Sequence, residues 1–413
     1  MAKAKKRKTK AKKAKRAVAA RKTKAKKTRR QGSKTVRKTK PMAKKTKKPA
    51  TKNAPAKKAT YKMLLLGASY GSLLASKLLF GGHSIHLVCL PAEADLINAE
   101  GFKVRLPVRG RADPVLLESR NLPGKVTAGP AAGVKPGDYD LIGLCMQEPQ
   151  YRSPGVRELL DAVGKSRVPC MSIMNMPPLP YIKRIPGLDY RALEAAYTDP
   201  RVWDSVDPRK ITLNSPDPQA IRPPDGKANE LLVTLPTNFK CARFDNAQDT
   251  AIVRKLERDV EAARFDAPEG KIELPVKLRV YDSIFVPLAK WAMLCAGNYR
   301  CITADGMRTA QEAVYSNLEE SKSVYDFVND LCVRLGASPS DLVPFEKYAA
   351  AAQSLTRPAS AARALQNGAQ NIERADKLVQ LLGRQKGVSH ATLDATVALV
   401  DSRLDANRKK AAA

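Results

Sequence analysis

The sequence predicts an α/β chain: a doubly wound parallel sheet, then an all-helical C-terminal segment, behind a disordered basic tail. Three observations carry this. Short, nearly continuous apolar runs at 63–66, 141–146 and 168–174 alternate with helical periodicities. That pattern belongs to parallel strands covered on both faces. From about residue 246 onward helical patterns dominate. Residues 1–60 hold 28 Lys or Arg and no Asp or Glu.

At 413 residues, the chain has room for two domains and a tail. The boundaries read as 1–60 for the tail, 61–245 for the α/β domain and 246–405 for a helical domain. The formal charge of +34 is concentrated in the tail, because residues 61–413 carry 46 basic against 40 acidic groups. No apolar run approaches the roughly 18 residues of a membrane span, and the N-terminus has no apolar stretch of a secretory leader. Seven cysteines form no Cys-x-x-Cys pair and several lie in apolar runs, which reads as buried, reduced thiols of a cytoplasmic protein. With three histidines and no ligand spacing, no metal site is expected.

The tail is Lys, Ala, Thr and Arg with almost no apolar bulk, so it cannot offset chain entropy by burial. It resembles the lysine- and alanine-rich tails of linker-histone-like proteins. Dense Lys and Arg attract polyanions by counterion release, without sequence selectivity. Non-specific nucleic-acid contact through residues 1–60 is therefore one expectation, a nucleoid association among its forms. A solvated extension is the other, and a transit peptide a third.

The α/β domain opens on Met63–Leu66, a glycine turn, and a helical pattern with Leu74, Leu78 and Leu79 on one side. A strand turning sharply through glycine into a helix presents free N–H groups and a helix dipole to phosphate. Gly67, Ala68, Ser69, Tyr70, Gly71 and Ser72 are thus candidate cofactor-binding residues of a Rossmann-type unit. Ile85, Leu87 and Cys89 alternate on a second strand, with His83 and His86 in structural positions. Ala92–Ala99 reads as a helix; Phe102–Pro107 and Val115–Glu118 read as strands of a small insertion. Strands ending near Met146 and at Asn175 follow, with a helix over Val156–Val163 between them. Ligands of such sheets bind beyond the strand carboxyl ends, and Gly67, Gln147 and Asn175 all stand there. The proline-rich stretch from Asn175 to Pro224 discourages regular structure, suggesting a lid or an oligomer contact. Leu231–Leu235 reads as one more strand.

In the helical segment Thr250–Ala263 is amphipathic, and Glu312–Leu335 reads as one long helix. Ser283–Asn298 is an apolar helix carrying a lone Lys290, which is costly to bury without a partner or a task. Asn298, eight residues on, falls within about 80° of the same face at 100° per residue.

These residues together resemble the ketopantoate reductases (2-dehydropantoate 2-reductases). The run Gly67–Ala75 is similar to that family's nucleotide loop, although Ser69 replaces the middle glycine and the loop is one residue short. Gly82–Val88 is similar to its second strand. Met146-Gln147 and Gln150 stand where the family has Val-Lys-x-x-Gln, and Asn175 matches the asparagine of its Gln-Asn-Gly turn. Lys290, Ala292, Cys295 and Asn298 keep the spacing of its Lys-Leu-Ala-x-Asn-Cys-x-x-Asn helix, with Leu294 replacing one asparagine. Pro358–Gly368 resembles its Pro-Ser-Met segment. The resemblance spans roughly residues 62–400.

It implies an NADPH- or NADH-dependent reductase of a 2-keto acid, with NADP favoured by the resemblance alone. Glu93 and Asp95 are nearby acids that could instead meet a ribose 2′-hydroxyl. By the resemblance Lys290 is the general acid, while Asn175, Asn298, Ser360 and Glu373 contact substrate. Gln147 and Asn175 also face cofactor. Glu373 is displaced by one position, a turn of about 100° if the segment is helical, which leaves a solvated helix face as its other reading. A homodimer is implied as well. Two alternatives stand beside this: a reductase fold that has lost turnover and associates with nucleic acid, and a relative acting on amino-acid–keto-acid adducts as opine dehydrogenases do.

Overall fold

A computed structural model describes residues 60–412. The expectations for residues 1–59, disorder and nucleic-acid contact, lie outside the described residues. Strand β1 (Lys62–Leu66) runs into helix α1 (Ala68–Leu78) and returns as β2 (Ser84–Val88), followed by α2 (Pro91–Glu100). The antiparallel pair β3 (Lys103–Leu106) and β4 (Val115–Glu118) precedes β5 (Lys125–Gly129) and β6 (Leu141–Leu144). Helix α3 (Val156–Ser166) leads to β7 (Cys170–Ile173). Single helical turns α4 (Leu179–Ile182) and α5 (Tyr190–Leu193) interrupt the path to β8 (Ile211–Ser215). Then come β9 (Gln219–Ile221), β10 (Glu230–Leu235), β11 (Phe239–Ala242), helix α6 (Ala247–Ala262), the hairpin β12 (Phe265–Ala267) and β13 (Gly270–Ile272), and β14 (Leu278–Tyr281). The remainder is helical: α7 (Lys290–Met293), α8 (Ala310–Tyr315), α9 (Leu318–Leu335), α10 (Phe345–Ala352), α11 (Ser360–Gln366), α12 (Ala375–Gln385) and α13 (Ala391–Ala412).

The main sheet has the order β14-β11-β8-β7-β6-β1-β2-β5. Its six strands from β5 to β8 are parallel, and β11 pairs antiparallel with β8. Chain order therefore reverses between β1 and β6, which is the switch point at which doubly wound sheets open a crevice. Alternation along β1 sends Leu64 and Leu66 into one buried core and Met63 and Leu65 into the other. The first core continues without a break into the helical segment through Leu288, Trp291 and Leu331. The second lies under α1, α2 and α6 and a smaller sheet, β4-β3-β10-β9.

Several expectations need adjustment. The main sheet runs past residue 245, because β14 pairs with β11 and α6 packs on β14. The proline-rich stretch contains β8, a buried strand next to β7, and the short β9. The insertion strands β3 and β4 belong to the smaller sheet, completed by β9 and β10. The long helix at 312–335 is two helices, since Asn317 leaves helical geometry and its side chain accepts from the Glu320 N–H. All seven cysteines are free, and all but Cys89 are buried. Among the described residues, no helix is long and apolar enough to cross a membrane.

One feature of α1 bears on stability. Lys77 is 2 % exposed, and its Nζ donates to the Pro275 carbonyl at 3.0 Å. Burial, aided by Lys277, pulls its pKa from 10.5 down to about 7. Between these values the unfolded chain binds more protons than the folded one, so stability rises with pH across that window and is lowest below it. Lys77→Met should raise the urea midpoint at pH 7, by about 2 kcal/mol equivalent, and flatten its climb toward pH 10. A variant whose midpoint climbs as steeply as wild type would contradict this.

Candidate active site

The four adjacent strands β1, β6, β7 and β8 end at Gly67, Cys145–Gln147, Asn175 and Pro216–Asp217 respectively, and these ends form the floor of the site. At Gly67 the backbone turns with φ +107°, and its N–H donates to the Val88 carbonyl at 2.8 Å. A Cβ there would meet Met146 Cγ at 2.7 Å and the Cys145 carbonyl oxygen at 3.0 Å. Only glycine fits, both by conformation and by space. Helix α1 starts at once, with no side-chain cap and no acid in its first turn. Its free N–H groups around Ser69 and Tyr70 are therefore open to an anion. Gly71 serves the close approach of helix to sheet, since a Cβ would sit 3.3 Å from Leu87 Cδ2.

The helical segment reaches this floor through Glu373. This residue lies in the loop before α12, not on a helix, so the expected rotation away from the site does not occur. It is 5 % exposed. Its Oε2 accepts from Asn175 Nδ2 at 3.0 Å, and its Oε1 accepts from the Glu148 N–H at 3.4 Å and the Met176 N–H at 3.5 Å. Burial holds its carboxyl above the usual range, while these donors and Lys290 pull it down. Tyr299 fixes the loop: its hydroxyl donates to the Glu373 carbonyl at 2.5 Å and accepts from the Ala375 N–H at 2.9 Å. Asn175 Oδ1 is buried without a partner. Such an acceptor costs free energy until a donor arrives.

Gln147, Asn175, Asn298, Ser360 and Glu373 line one small cavity, together with Leu294 and Tyr299. Its volume of about 20 Å³ accommodates a single water. A wider cavity, about 790 Å³, lies beside the amino end of β2 around Phe80, Leu122 and Phe265, and shares none of these residues.

Lys290 does not line that cavity; it is close enough to Glu373 to lower that carboxyl, and a strap of chain, Pro216–Pro218, holds it. Its Nζ donates to the Pro216 carbonyl at 2.5 Å and lies 3.9 Å from Asp217 Oδ1. Burial pulls its pKa below the ordinary lysine value; Asp217 and Glu373 oppose that, and Lys240 adds to it. Asp217 is itself paired with Lys240 at 3.0 Å. At the next residue, the Pro218 carbonyl accepts from the Tyr70 hydroxyl at 3.1 Å. Burial, then Glu373 and Asp217, push that phenol up to about 12, so it stays protonated and donating. Past Lys290 the chain is not a straight α-helix: Leu294–Asn298 is a π turn, which displaces Asn298 from its expected angle yet still delivers it to the cavity.

The structure thus brings Asn175, Asn298, Ser360, Glu373 and Gln147 together, with Gly67–Ser72 and Lys290 at the flanks. Sequence reasoning missed Tyr299, Glu148, Pro216 and Asp217. Glu148 is 2 % exposed and accepts from the Thr198 N–H and hydroxyl; burial raises its carboxyl to about 7. Of these Tyr299 and Glu148 stood beside candidate residues, Asn298 and Gln147, and the Pro216-Asp217-Pro218 run was readable only as a break. Among the described residues, no group of His, Cys, Asp and Glu could hold a metal ion.

No protein-family model matches the sequence, and no curated protein matches it. Solved structures do match in fold. A protein described as a ketopantoate reductase, from Ralstonia solanacearum MolK2, aligns at 14 % identity and TM-score 0.60, over 84 % of this chain and 98 % of that one. The 2-dehydropantoate 2-reductase from Methylococcus capsulatus aligns at 12 % and 0.55, over 84 % and 97 %. A D-mandelate dehydrogenase, solved with NADH and anilino(oxo)acetate, aligns at 13 % and 0.55, over 84 % and 99 %. At such identities the likeness shows a shared fold, a parallel-rich α/β domain followed by helices.

Proposed function

We propose that this chain is a nicotinamide-dependent reductase of a 2-keto acid, with Lys290 as general acid. The observation that carries the reading is the meeting, at the switch point of the sheet, of an uncapped helix N-terminus behind Gly67, the Asn175–Glu373 pair and the lone Lys290. The solved reductases and the NADH-bound mandelate dehydrogenase of the same fold support it, as does the spacing of the Lys290 helix.

The residues at the turn fit a dinucleotide. Gly67 gives the backbone its turn, the α1 N–H groups are free, and Asn175 Oδ1 offers an unsatisfied acceptor two strands away, past the end of β7. A bound reduced nicotinamide supplies the hydride. Lys290 then gives a proton from its ammonium to the keto oxygen, so that ketone, hydride and proton become a secondary alcohol, and the amine regains its proton from solvent. Before reaction the ammonium also steadies the charge growing on that oxygen. In the described structure the Pro216 carbonyl holds Lys290, standing where a substrate carbonyl would be recognised. The strap Pro216–Pro218 has to yield before turnover, and the small cavity has to widen. Asn298 and Ser360 then hold the acid, and Glu373 with Asn175 orients it.

Residues 1–60 complete the proposal. Their 28 cationic side chains without a counter-acid would hold nucleic acid through phosphate charge, independently of the reductase site. A salt-dependent gel shift lost on truncation of 1–60 is expected.

Fluorescence titration of the full chain with NADH and NADPH tests the enzyme reading. Saturable binding of one of them at micromolar concentration is expected. Absence of binding by both, from a folded protein, would sink it.

A further inference from the structure

The strand β9 carries the strap onward from Pro218 to Arg222. Arg222 ion-pairs with Glu93 Oε1. Glu93 sits in the first turn of α2, just past the carboxyl end of β2, with its side chain 10 % exposed. In a doubly wound dinucleotide fold this is the end to which the adenosine ribose comes, where an acid accepts from a 2′-hydroxyl and an arginine takes a 2′-phosphate. Here both groups are present and are bound to each other, so the question is which of them the ligand meets.

We propose that Glu93, held in place by Arg222, makes the site selective for NADH over NADPH. The inference rests on the reductase reading above. Arg222 occupies one carboxylate oxygen, and the other has no hydrogen-bond partner among the described residues. A ribose 2′-hydroxyl donates to that second oxygen while the ion pair stays intact. A 2′-phosphate brings about two negative charges against a desolvated carboxylate. Arg222 donates to Glu93 through one nitrogen, Nη2. If it turns to the phosphate, it leaves Glu93 buried and unpaired, which is the costly outcome for any buried charge. Among the described residues Arg222 is the cation that acts on Glu93: Leu90, directly after the strand, is 75 % exposed and uncharged, Cys89 is a neutral thiol raised to about 12 by burial, and Asp95 adds negative charge. Burial lifts the Glu93 carboxyl above its usual range and Arg222 draws it back, as expected for a carboxylate that depends on its partner.

Dissociation constants of NADH and NADPH for wild type, Glu93→Gln and Arg222→Gln test this. Wild type should bind NADH about tenfold more tightly than NADPH. Glu93→Gln should collapse that ratio toward unity by improving NADPH. Arg222→Gln should widen it, because the bare carboxylate repels phosphate more strongly. Thermal melts establish that each variant is folded, and the opposite directions of the two changes separate charge selection from general damage. A wild-type preference for NADPH, or a ratio unmoved by Glu93→Gln, overturns the proposal while leaving the reductase reading standing. Failure of wild type to bind either cofactor overturns both.

Discussion

Lys290→Ala is expected to lower kcat for 2-keto acid reduction by about 10³, with the affinity for reduced nicotinamide unchanged. The loss combines two contributions, the missing proton and the missing charge opposite the developing alkoxide. The aliphatic stem of Lys290 is largely buried, with 16 % of the side chain exposed, so the alanine variant also vacates space. Lys290→Met keeps the stem and removes only the ammonium; it should lose nearly as much activity while matching wild type in thermal stability. The pH profile offers an independent check. A lysine acid works only while protonated, so kcat falls as pH rises through its pKa. Burial depresses that pKa, and the decline should therefore begin below the ordinary lysine value of 10.5. In the methionine variant the residual rate should lack this limb.

Gly67→Ala should weaken cofactor binding more than tenfold and destabilise the fold by about 2 kcal/mol. The added methyl has no room, with Met146 Cγ at 2.7 Å and the Cys145 carbonyl at 3.0 Å, and φ of +107° is strained for any L-residue. Relief requires β1 and β6 to separate at the switch point, which also moves the α1 N-terminus. Gly110→Ala is the control. Gly110 too has positive φ, but nothing lies within 4 Å of its Cβ position, so it should show strain without loss of binding. Equal cofactor affinity in Gly67→Ala and wild type would place the anion site elsewhere.

The parts of this site that were legible in the sequence share a physical cause. Four consecutive apolar residues before Gly67 mark a strand buried on both faces, and the leucines beyond it mark the helix that packs back on the sheet. Asn175 was legible because a buried apolar strand stops there. By contrast β8 carries Thr, Asn and Ser and lies within the proline-rich stretch, yet it is wholly buried as an inner strand between β7 and β11, which no local pattern records. Glu373 illustrates the same limit. Read as a helical residue it turns toward solvent, yet it lies in a loop whose path Tyr299 fixes from 74 residues away. The contacts of the strap are as long in range or longer: Pro216 with Lys290, Pro218 with Tyr70 and Arg222 with Glu93 join segments that only the folded topology brings together. Resemblance favoured NADP; the Glu93–Arg222 pair, invisible in sequence, argues for the other cofactor.

Rate measurement of reduced-nicotinamide consumption on mixing the full chain with NADH and a series of 2-keto acids of increasing branching tests the central claim most directly. The expected result is stoichiometric conversion of cofactor and keto acid to the 2-hydroxy acid in wild type, abolished in Lys290→Met. No consumption with any 2-keto acid by a chain that binds the cofactor, or undiminished consumption by Lys290→Met, would contradict it.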